Sequence, residues 1–366
     1  MKQSNYIVSG GGTGGHIYPA LAIANQIKVV DPNASIVFVG ALGKMEMEKV
    51  PQAGYVIHGI WISGIQRTKL WKNLFFPFKL LVSFFQALVI WLRYRPQIMI
   101  GTGGFASGPM LFVGGLMGSK TFLQEQNSYP GITNKLLAKK AKGISVAYPN
   151  MERYFPKDKI HYTGNPVRES LLNVEALREK GLAHFDLDPD KKTLVVLGGS
   201  LGARAINELV AEHVDMFLEL DLQLVWQCGK MYHNEYVSYS SEKLKIHSFV
   251  KEMDCLYAAA DVIISRAGAS SISELAIVAK PLILIPSPNV AENHQHKNAQ
   301  VLEERGAAIL LSESEAMTTF PSVLKALLDS TEQQMSMTES LRKMALPTAT
   351  KTIVKHIHEL VSSHAE

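Results

Sequence analysis

Two series of short apolar runs, each run bounded by glycine or a turn, are the feature that most constrains what this chain can fold into. The first series lies at residues 6–9, 36–39, 98–100 and 121–123, and the second lies at residues 193–197, 223–227, 261–265 and 281–285. Stretches of helical length separate most of the runs, and strands that alternate with helices form parallel sheets. The pattern therefore predicts an α/β protein with two consecutive doubly wound domains of similar size, joined near residues 162–165.

The length and composition agree with two compact domains. A chain of 366 residues exceeds the size at which a single hydrophobic core usually stops growing, and 47% hydrophobic with 19% charged residues argues against extensive disorder. We expect a cleft between the two domains. The two cysteines, Cys228 and Cys255, are too few for a disulfide scaffold, and no charged-then-apolar cleavable segment precedes the first strand. These features predict a cytoplasmic protein.

The charge is distributed unevenly along the chain. The net charge is only +4, which argues against a nucleic-acid-binding protein. The stretch from Lys49 to Gln124, however, contains eight basic residues and no Asp or Glu. We therefore expect the first domain to meet an anionic partner, either a phospholipid surface or a pyrophosphate.

The first strand leads directly into a glycine-rich turn. Gly10, Gly12 and Gly15 satisfy the pattern G-x-G-x-x-G, and a helical pattern begins near Pro19. Such a turn lets backbone N–H groups approach an anion, so a dinucleotide-dependent oxidoreductase is one candidate. Against it, the second strand ends at Ala41 without the acidic residue that would hold an adenosine ribose.

The second domain repeats this arrangement at residues 198–203. Ser200 in that turn either contacts a phosphate or caps the following helix, and taken alone capping is the better interpretation. Further on, Glu274 lies in the first turns of a predicted helix. Its carboxylate either stabilises the helix dipole or accepts the two hydroxyls of a ribose, and the sequence leaves both alternatives open.

Two runs of potential metal ligands occur, and neither predicts a metal site. His294 and His296 lie in a polar loop after the last predicted strand, without a third ligand nearby, which favours a solvated or sugar-facing loop. Asp186, Asp188 and Asp190 precede a strand rather than follow one, so we interpret them as a solvated loop.

An apolar segment at residues 70–92 has helical spacing and basic neighbours. Its length permits a membrane-spanning helix, but a true span would interrupt the predicted sheet, and a fully buried helix is the other alternative. We expect a divided role, in which Leu81, Leu88 and Leu92 cover the sheet while one end of the segment docks on an anionic membrane surface. The predicted docking residues are Trp71, Leu74, Phe75, Phe78, Lys69, Lys72 and Lys79.

The last segment, at residues 349–363, has the pattern of an amphipathic helix. Ile353, Val354 and Ile357 recur at helical spacing, and Leu360 and Val361 continue the pattern. Periodicity alone does not tell which domain this helix packs on.

Seven motifs, in this order, resemble those of one bacterial family. They are SGGGTGGHIYPALA (residues 9–22), GTGGFASGP (101–109), EQNSYPGITNK (125–135), TGNPVR (163–168), GGSLGAR (198–204), RAGASSISE (266–274) and NHQHKNA (293–299). Together they extend over nearly the whole chain, and seven motifs in the expected order are highly specific. The chain is similar to the UDP-N-acetylglucosamine:muramoyl-pentapeptide-pyrophosphoryl-undecaprenol N-acetylglucosaminyltransferases, the MurG family.

The resemblance implies a GT-B fold, in which two Rossmann-like doubly wound domains face a cleft. It implies an N-terminal acceptor-binding and membrane-associated domain at residues 1–163, with the helix at residues 349–363 packed back on it. It implies a C-terminal UDP-sugar-binding domain at residues 164–348. The implied location is peripheral, at the cytoplasmic face of the cell membrane.

The resemblance also implies a set of site residues. The donor-binding residues are Thr13, Gly14, Asn127, Arg168, Gly199, Ser200, Val250, Glu274 and Gln295. The acceptor-binding residues are Gly14, Gly15, His16, Gly103, Gly104 and Asn127. His16 is the predicted catalytic base because imidazole titrates near neutral pH, and its alternative is a structural role in the glycine turn. Gln124 stands where family members often have His, so no acid–base role is expected at that position.

The implied reaction is the inverting transfer of N-acetylglucosamine from UDP-N-acetylglucosamine to the 4-hydroxyl of the muramoyl sugar of undecaprenyl-pyrophosphoryl-muramoyl-pentapeptide. This step converts lipid I to lipid II in peptidoglycan synthesis. Helix N-termini in the second domain can stabilise the leaving pyrophosphate, so no cofactor and no metal is expected to be required. The expected partners are the two substrates and an anionic membrane surface, with no nucleic acid. A dinucleotide-dependent oxidoreductase and a non-catalytic sugar-nucleotide-binding protein remain as alternatives.

Overall fold

The computed structural model describes residues 4–64, 74–199, 201–290 and 293–362, and the chain forms two compact units. The first unit comprises Met1–Val167 and Thr348–Glu366, and the second comprises Arg168–Pro347. The predicted boundary after residue 163 lies four residues before the observed one. Val167 stays with the first unit because its N–H donates to Thr350 Oγ1 at 3.2 Å and its C=O accepts from the same hydroxyl at 3.2 Å.

The first unit is built on a seven-stranded sheet in which all neighbouring strands are parallel. The strands are β1 (Asn5–Gly10), β2 (Ser35–Ala41), β3 (Val56–Ile60), β4 (Ile98–Gly103), β5 (Lys120–Glu125), β6 (Gly143–Val146) and β7 (Ile160–Tyr162). Their order is β3-β2-β1-β4-β5-β6-β7, so the strand order reverses between β1 and β4. Ligands of open α/β sheets bind at such a reversal, beyond the carboxyl ends of the strands.

Among the described residues, α-helices connect most of these strands. They are α1 (Gly14–Val30), α2 (Glu46–Gln52), α3 (Phe76–Tyr94), α4 (Ser107–Leu116) and α5 (Ile132–Leu137). Helix α1 begins directly after the glycine-rich turn that follows β1, and α4 begins directly after the glycine-rich turn that follows β4. Both turns therefore lie at the edge of the sheet where the strand order reverses.

The second unit repeats the parallel design with six strands, in the order β10-β9-β8-β11-β12-β13. The strands are β8 (Thr193–Leu197), β9 (Gln223–Gln227), β10 (Leu244–His247), β11 (Val262–Ser265), β12 (Leu282–Leu284) and β13 (Ile309–Leu310). The helices are α6 (Arg178–His184), α7 (Arg204–Glu212), α8 (Val214–Glu219), α9 (His233–Tyr236), α10 (Met253–Ala259), α11 (Ala269–Val278), α12 (His294–Glu303), α13 (Glu313–Asp329) and α14 (Thr331–Met344). The predicted α/β class with two Rossmann-like sheets is confirmed.

The last helix, α15 (Ala349–Ser362), returns to the first unit. Its buried residues Ile353, Val354 and Ile357 share a hydrophobic core with β1 and α1. The Lys120 ammonium at the start of β5 donates to the Leu360 carbonyl at 2.7 Å, which stabilises the end of the helix. The described residues of α15 therefore pack on the first unit, which periodicity alone did not determine.

Helix α3 is long and apolar enough to cross a membrane by length and composition. Only 11% of its most apolar 18-residue stretch is buried. It connects β3 with β4, which belong to one sheet, so a spanning helix would separate strands that the fold keeps together. Its inward face consists of Ser83, Ala87 and Ile90, whereas Leu81 is 68% and Leu92 is 49% exposed. The prediction that Leu81 and Leu92 cover the sheet is therefore wrong, because the buried face of the helix lies at Ser83, Ala87 and Ile90, and Leu88 is only partly buried.

Candidate active site

The turn between β1 and α1 places His16 in the first turn of α1. Thr13 is the N-cap, and the His16 N–H donates to the Thr13 carbonyl at 3.1 Å. Gly12 adopts a φ of +88°, a conformation that favours glycine. Gly14 and Gly15 follow the cap, so the predicted acceptor residues of this motif lie within one turn of the chain.

The hydrogen bonds of His16 define which ring nitrogen carries the proton. His16 Nδ1 lies 3.1 Å from the Gly11 carbonyl oxygen, and Thr13 Oγ1 lies 3.5 Å from the same nitrogen. A carbonyl oxygen only accepts, so Nδ1 of the neutral ring must carry the hydrogen in this contact. The lone pair is then on Nε2, which makes Nε2 the nitrogen that can accept a proton.

The turn after β4 packs directly against this imidazole. A β-carbon on Gly103 would lie 2.9 Å from His16 Nε2, and one on Gly104 would lie 2.3 Å from the Gly11 carbonyl oxygen. The Thr102 hydroxyl donates to the His16 carbonyl at 2.8 Å. The structure thus brings together His16 and the predicted acceptor residues Gly103 and Gly104, which are far from His16 in the sequence.

Asn127 follows β5 at the same edge of the first sheet and is held by a buried carboxylate. Glu125 accepts hydrogen bonds from the Asn127 N–H at 3.0 Å, from Asn127 Nδ2 at 3.2 Å and from Asn134 Nδ2 at 2.9 Å. Burial raises the pKa of Glu125, and these N–H donors oppose the shift. Gln124 is fully buried and its amide donates to Asn165 Oδ1 at 2.9 Å, which assigns it a structural contact.

In the second unit, Gln227 joins two of the predicted donor segments. Its amide Nε2 donates to the Gly199 carbonyl at 3.2 Å, and its Oε1 accepts the Val250 N–H at 2.9 Å. Helix α7 has Ala203 as its N-cap. Ser200 itself lies outside the described residues.

Glu274 lies in the second turn of α11 and forms a two-point ion pair with Arg168. The Arg168 Nε and Nη2 donate to Glu274 Oε1 and Oε2, each at 2.9 Å. The buried Tyr257 hydroxyl lies 3.4 Å from Oε2, and burial followed by the Glu274 charge raises the pKa of Tyr257. The structure therefore brings together two predicted donor residues that the sequence separates by 106 positions.

Gln295 lies at the start of α12 rather than in a loop. The polar segment was predicted as a loop, but α12 begins at His294, and the Gln295 Oε1 accepts the Ser287 N–H at 2.9 Å. Within the residues that the structure describes, no three His, Cys, Asp or Glu side chains come together to hold a metal ion. Asp186, from the acidic run, pairs with Lys245 at 2.9 Å.

The apolar surface of α3 begins at Leu74, two residues before the helix. Leu74, Phe75 and Phe78 are all exposed, and Lys79 lies 5.7 Å from the centre of the Trp61 ring. The predicted docking residues Lys69, Trp71 and Lys72 lie outside the described residues. A stripe of exposed side chains continues along the helix through Leu81, Phe85, Val89 and Leu92. We call the exposed residues from Leu74 to Leu92 the α3 face.

The sequence patterns did not identify two buried polar side chains at these sites. Glu46, fully buried at the start of α2, accepts the Gly12 N–H at 2.8 Å, and Gln227 forms the bridge described above. Gln227 is the last residue of β9, and a polar residue at the end of a strand is a signal that the sequence contains. Glu46 follows β2 by five residues inside a helix, where an acidic residue is ordinary.

Two Rossmann-like units with glycine-rich turns at the carboxyl ends of their strands are the architecture of GT-B glycosyltransferases, and comparison with known proteins assigns the chain to that class. The model of the glycosyltransferase family 28 N-terminal domain matches residues 6–146, and that of the family 28 C-terminal domain matches residues 193–355. The chain belongs to glycosyltransferase family 28 and, within it, to the MurG family. The resemblance that the seven motifs predicted is therefore confirmed.

Relatives of known name support this assignment over the full length. The chain is 54% identical over 364 residues to the UDP-N-acetylglucosamine–N-acetylmuramyl-(pentapeptide) pyrophosphoryl-undecaprenol N-acetylglucosamine transferase of Flavobacterium psychrophilum, covering 99% of each chain. It is 48% identical to the transferase of the same name from Bacteroides fragilis, covering 97% of this chain and 95% of the relative. Crystalline Acinetobacter baumannii MurG matches with a TM-score of 0.77 and 26% identity, covering 98% of this chain and 99% of that one.

The oxidoreductase alternative has no support in the family or in the first glycine turn. In a dinucleotide site the turn N–H groups face a pyrophosphate, and an acidic residue at the end of the second strand holds the ribose. Here the Gly12 N–H is bonded to the Glu46 carboxylate at 2.8 Å, and β2 ends at Ala41. A carboxylate in this position repels a phosphate, so the Gly12 N–H does not serve a dinucleotide pyrophosphate.

Proposed function

We propose that this chain transfers N-acetylglucosamine from UDP-N-acetylglucosamine to the 4-hydroxyl of the muramoyl sugar in undecaprenyl-pyrophosphoryl-muramoyl-pentapeptide. The names of the full-length relatives support these substrates. The observation that carries the chemistry is the hydrogen bond between His16 Nδ1 and the Gly11 carbonyl, since it leaves the lone pair on Nε2. An imidazole nitrogen that carries a lone pair is what the attacking hydroxyl of an inverting transfer requires.

In this reaction His16 is the base that takes the proton of the acceptor hydroxyl. The acceptor oxygen forms a bond to the anomeric carbon while His16 Nε2 takes the hydroxyl proton. The bond between the anomeric carbon and the β-phosphate oxygen breaks, and its electron pair leaves with UDP. Base catalysis of this kind contributes about 10²–10⁴-fold to the rate.

The second unit supplies the donor contacts in this proposal. The Glu274 carboxylate accepts the ribose hydroxyls and Arg168 lies beside the nucleotide. The Val250 backbone faces uracil, and Gln295 reaches the sugar. Gly199 and Ser200 face the pyrophosphate.

The N-termini of α7 and α11 present positive potential to the leaving group, so no metal or other cofactor is required in this mechanism. In the first unit, Thr13, Gly14 and Asn127 complete the donor and acceptor contacts that the family resemblance implies.

The α3 face docks on an anionic membrane at the cytoplasmic surface, where the lipid-linked acceptor resides. The exposed Leu74, Phe75 and Phe78 supply apolar area, and Lys79 lies among them with its ammonium 3.3 Å from Ser63 Oγ. Interfacial binding gains from buried apolar area and from about 1 kcal/mol for each basic residue near an anionic leaflet. The docking is therefore peripheral, reversible and weakened by salt.

A transfer assay with labelled UDP-N-acetylglucosamine and the lipid-pyrophosphate muramoyl-peptide tests the proposal. His16→Ala should lower the single-turnover rate about 10²- to 10⁴-fold and leave the affinity for UDP unchanged, because the imidazole serves the acceptor hydroxyl. His184→Ala, which removes an exposed histidine of the second unit, is the matched control and should retain the wild-type rate. Retained chemistry in His16→Ala would exclude His16 as the base. Binding of UDP-N-acetylglucosamine without any turnover in the wild type would favour the non-catalytic alternative.

A further inference from the structure

A carboxylate is buried beneath the first glycine turn, on the side opposite His16. Glu46 has no exposed surface, and a buried carboxylate is tolerated only where hydrogen-bond donors satisfy it. Its Oε2 accepts the Gly12 N–H at 2.8 Å, and its Oε1 accepts the Ala41 N–H at 3.0 Å. Glu46 therefore joins the turn after β1 to the end of β2.

Two glycines provide the space for this carboxylate. A β-carbon on Gly11 would lie 2.1 Å from Glu46 Oε1, and one on Gly40 would lie 2.4 Å from Glu46 Cγ. Such approaches are impossible for real side chains, so any other residue at either position would displace Glu46. This explains why glycine occupies position 11, which the pattern G-x-G-x-x-G leaves free.

One peptide group connects Glu46 to His16. The N–H of Gly12 and the C=O of Gly11 belong to the same planar peptide unit, whose donor and acceptor point in opposite directions. The N–H donates to Glu46, and the C=O accepts from His16 Nδ1 at 3.1 Å. Hydrogen bonds in such a chain polarise one another, so a carboxylate at one end strengthens the carbonyl as an acceptor at the other.

We propose that Glu46 is a positioning residue for the transfer reaction, because it acts through the Gly11–Gly12 peptide to keep the His16 proton on Nδ1 and the lone pair on Nε2. This inference depends on the proposed role of His16 as the base. The arrangement resembles a carboxylate that orients a histidine directly, except that a peptide group is inserted between them.

Glu46→Gln is the decisive variant, and Glu48→Gln, on the same helix but exposed, is its control. The glutamine amide presents N–H donors to one of the two backbone N–H groups, so the chain of hydrogen bonds is interrupted. We expect kcat to fall about 10- to 100-fold with an unchanged KM for UDP-N-acetylglucosamine. Glu46→Asp, which keeps the charge, should retain more of the rate than Glu46→Gln.

Nitrogen-15 NMR of labelled histidine separates positioning from a general loss of structure. In the wild type, His16 should carry its proton on Nδ1, and in Glu46→Gln the two tautomers should both be populated. A wild-type His16 protonated on Nε2 overturns the inference even if the variant fails to fold, and an unchanged tautomer and rate in Glu46→Gln does so too. Failure of the proposed base role has a different signature, namely full turnover in His16→Ala, and failure of the proposed transfer function appears as UDP-N-acetylglucosamine binding without turnover in the wild type.

Discussion

Replacing Glu274 with Gln tests the donor site at the level of single atoms. Glu274 Oε1 accepts one N–H from Arg168 at 2.9 Å and has a further lone pair for a ribose hydroxyl. Glu274 Oε2 accepts a second Arg168 N–H at 2.9 Å and the longer contact from the Tyr257 hydroxyl at 3.4 Å, which a ribose hydroxyl would replace. Gln preserves the volume, but it removes the charge and turns one acceptor into a donor. A hydrogen bond to a charged group is worth about 1.5–3 kcal/mol, so the affinity for UDP should fall about 10- to 100-fold.

The same substitution should leave the fold intact. The Arg168 side chain is 43% exposed and the Glu274 side chain is 13% exposed, so solvent screens the pair from the arginine side and its contribution to the free energy of unfolding is about 1 kcal/mol. The melting temperatures of the variant and the wild type should therefore differ by only a few degrees. Weak binding in a folded variant then reports on the site itself.

Calorimetric titration with UDP and with 2′-deoxy-UDP distinguishes a ribose contact from a general loss of affinity. The wild type should prefer UDP, and Glu274→Gln should bind the two nucleotides with similar affinity. Glu175→Gln is the matched control, because it removes an exposed carboxylate of the same unit that also pairs with an arginine, Arg342. If Glu274→Gln keeps the wild-type preference for UDP, the ribose assignment is refuted.

Two further predictions concern the first unit. Phe75→Ser/Phe78→Ser should lower binding to anionic vesicles at least about tenfold, since burying one Phe is worth about 1.5–3 kcal/mol, whereas the equally exposed Met335→Ser of the second unit should not. Sedimentation at low and high salt measures this, and equal partitioning of all three proteins contradicts docking by the α3 face. Burial and the neighbouring His356 lower the pKa of His161, so the unfolded state binds more protons and stability is lost as pH falls through 6.5. Urea unfolding at about pH 7.5 and about pH 5.5 should show a smaller loss for His161→Gln than for the wild type, and equal losses would exclude a contribution from His161.

The sequence by itself determined the features that depend on neighbours along the chain. The predicted apolar runs coincide with strands of both sheets, glycine turns follow β1, β4 and β8, and the apolar stripe of α15 is buried as its periodicity predicted. These features are local, because side-chain alternation and the freedom of glycine at positive φ are properties of short segments. Strand β3 was not predicted, because it has no continuous apolar run that would mark it locally. Val56 at its start is 58% exposed.

Only the tertiary structure decided which distant groups meet. Arg168 pairs with Glu274 across 106 positions, and Glu46 reaches the Gly12 N–H across 34. The packed face of α3 was also decided at this level, because α3 packs on α4 with Ser83, Ala87 and Ile90 buried and Leu81 exposed. Strand register and helix packing set these contacts, and neither is encoded by the residues adjacent to each partner. The orientation of His16 therefore depends on a carboxylate that no local pattern identifies.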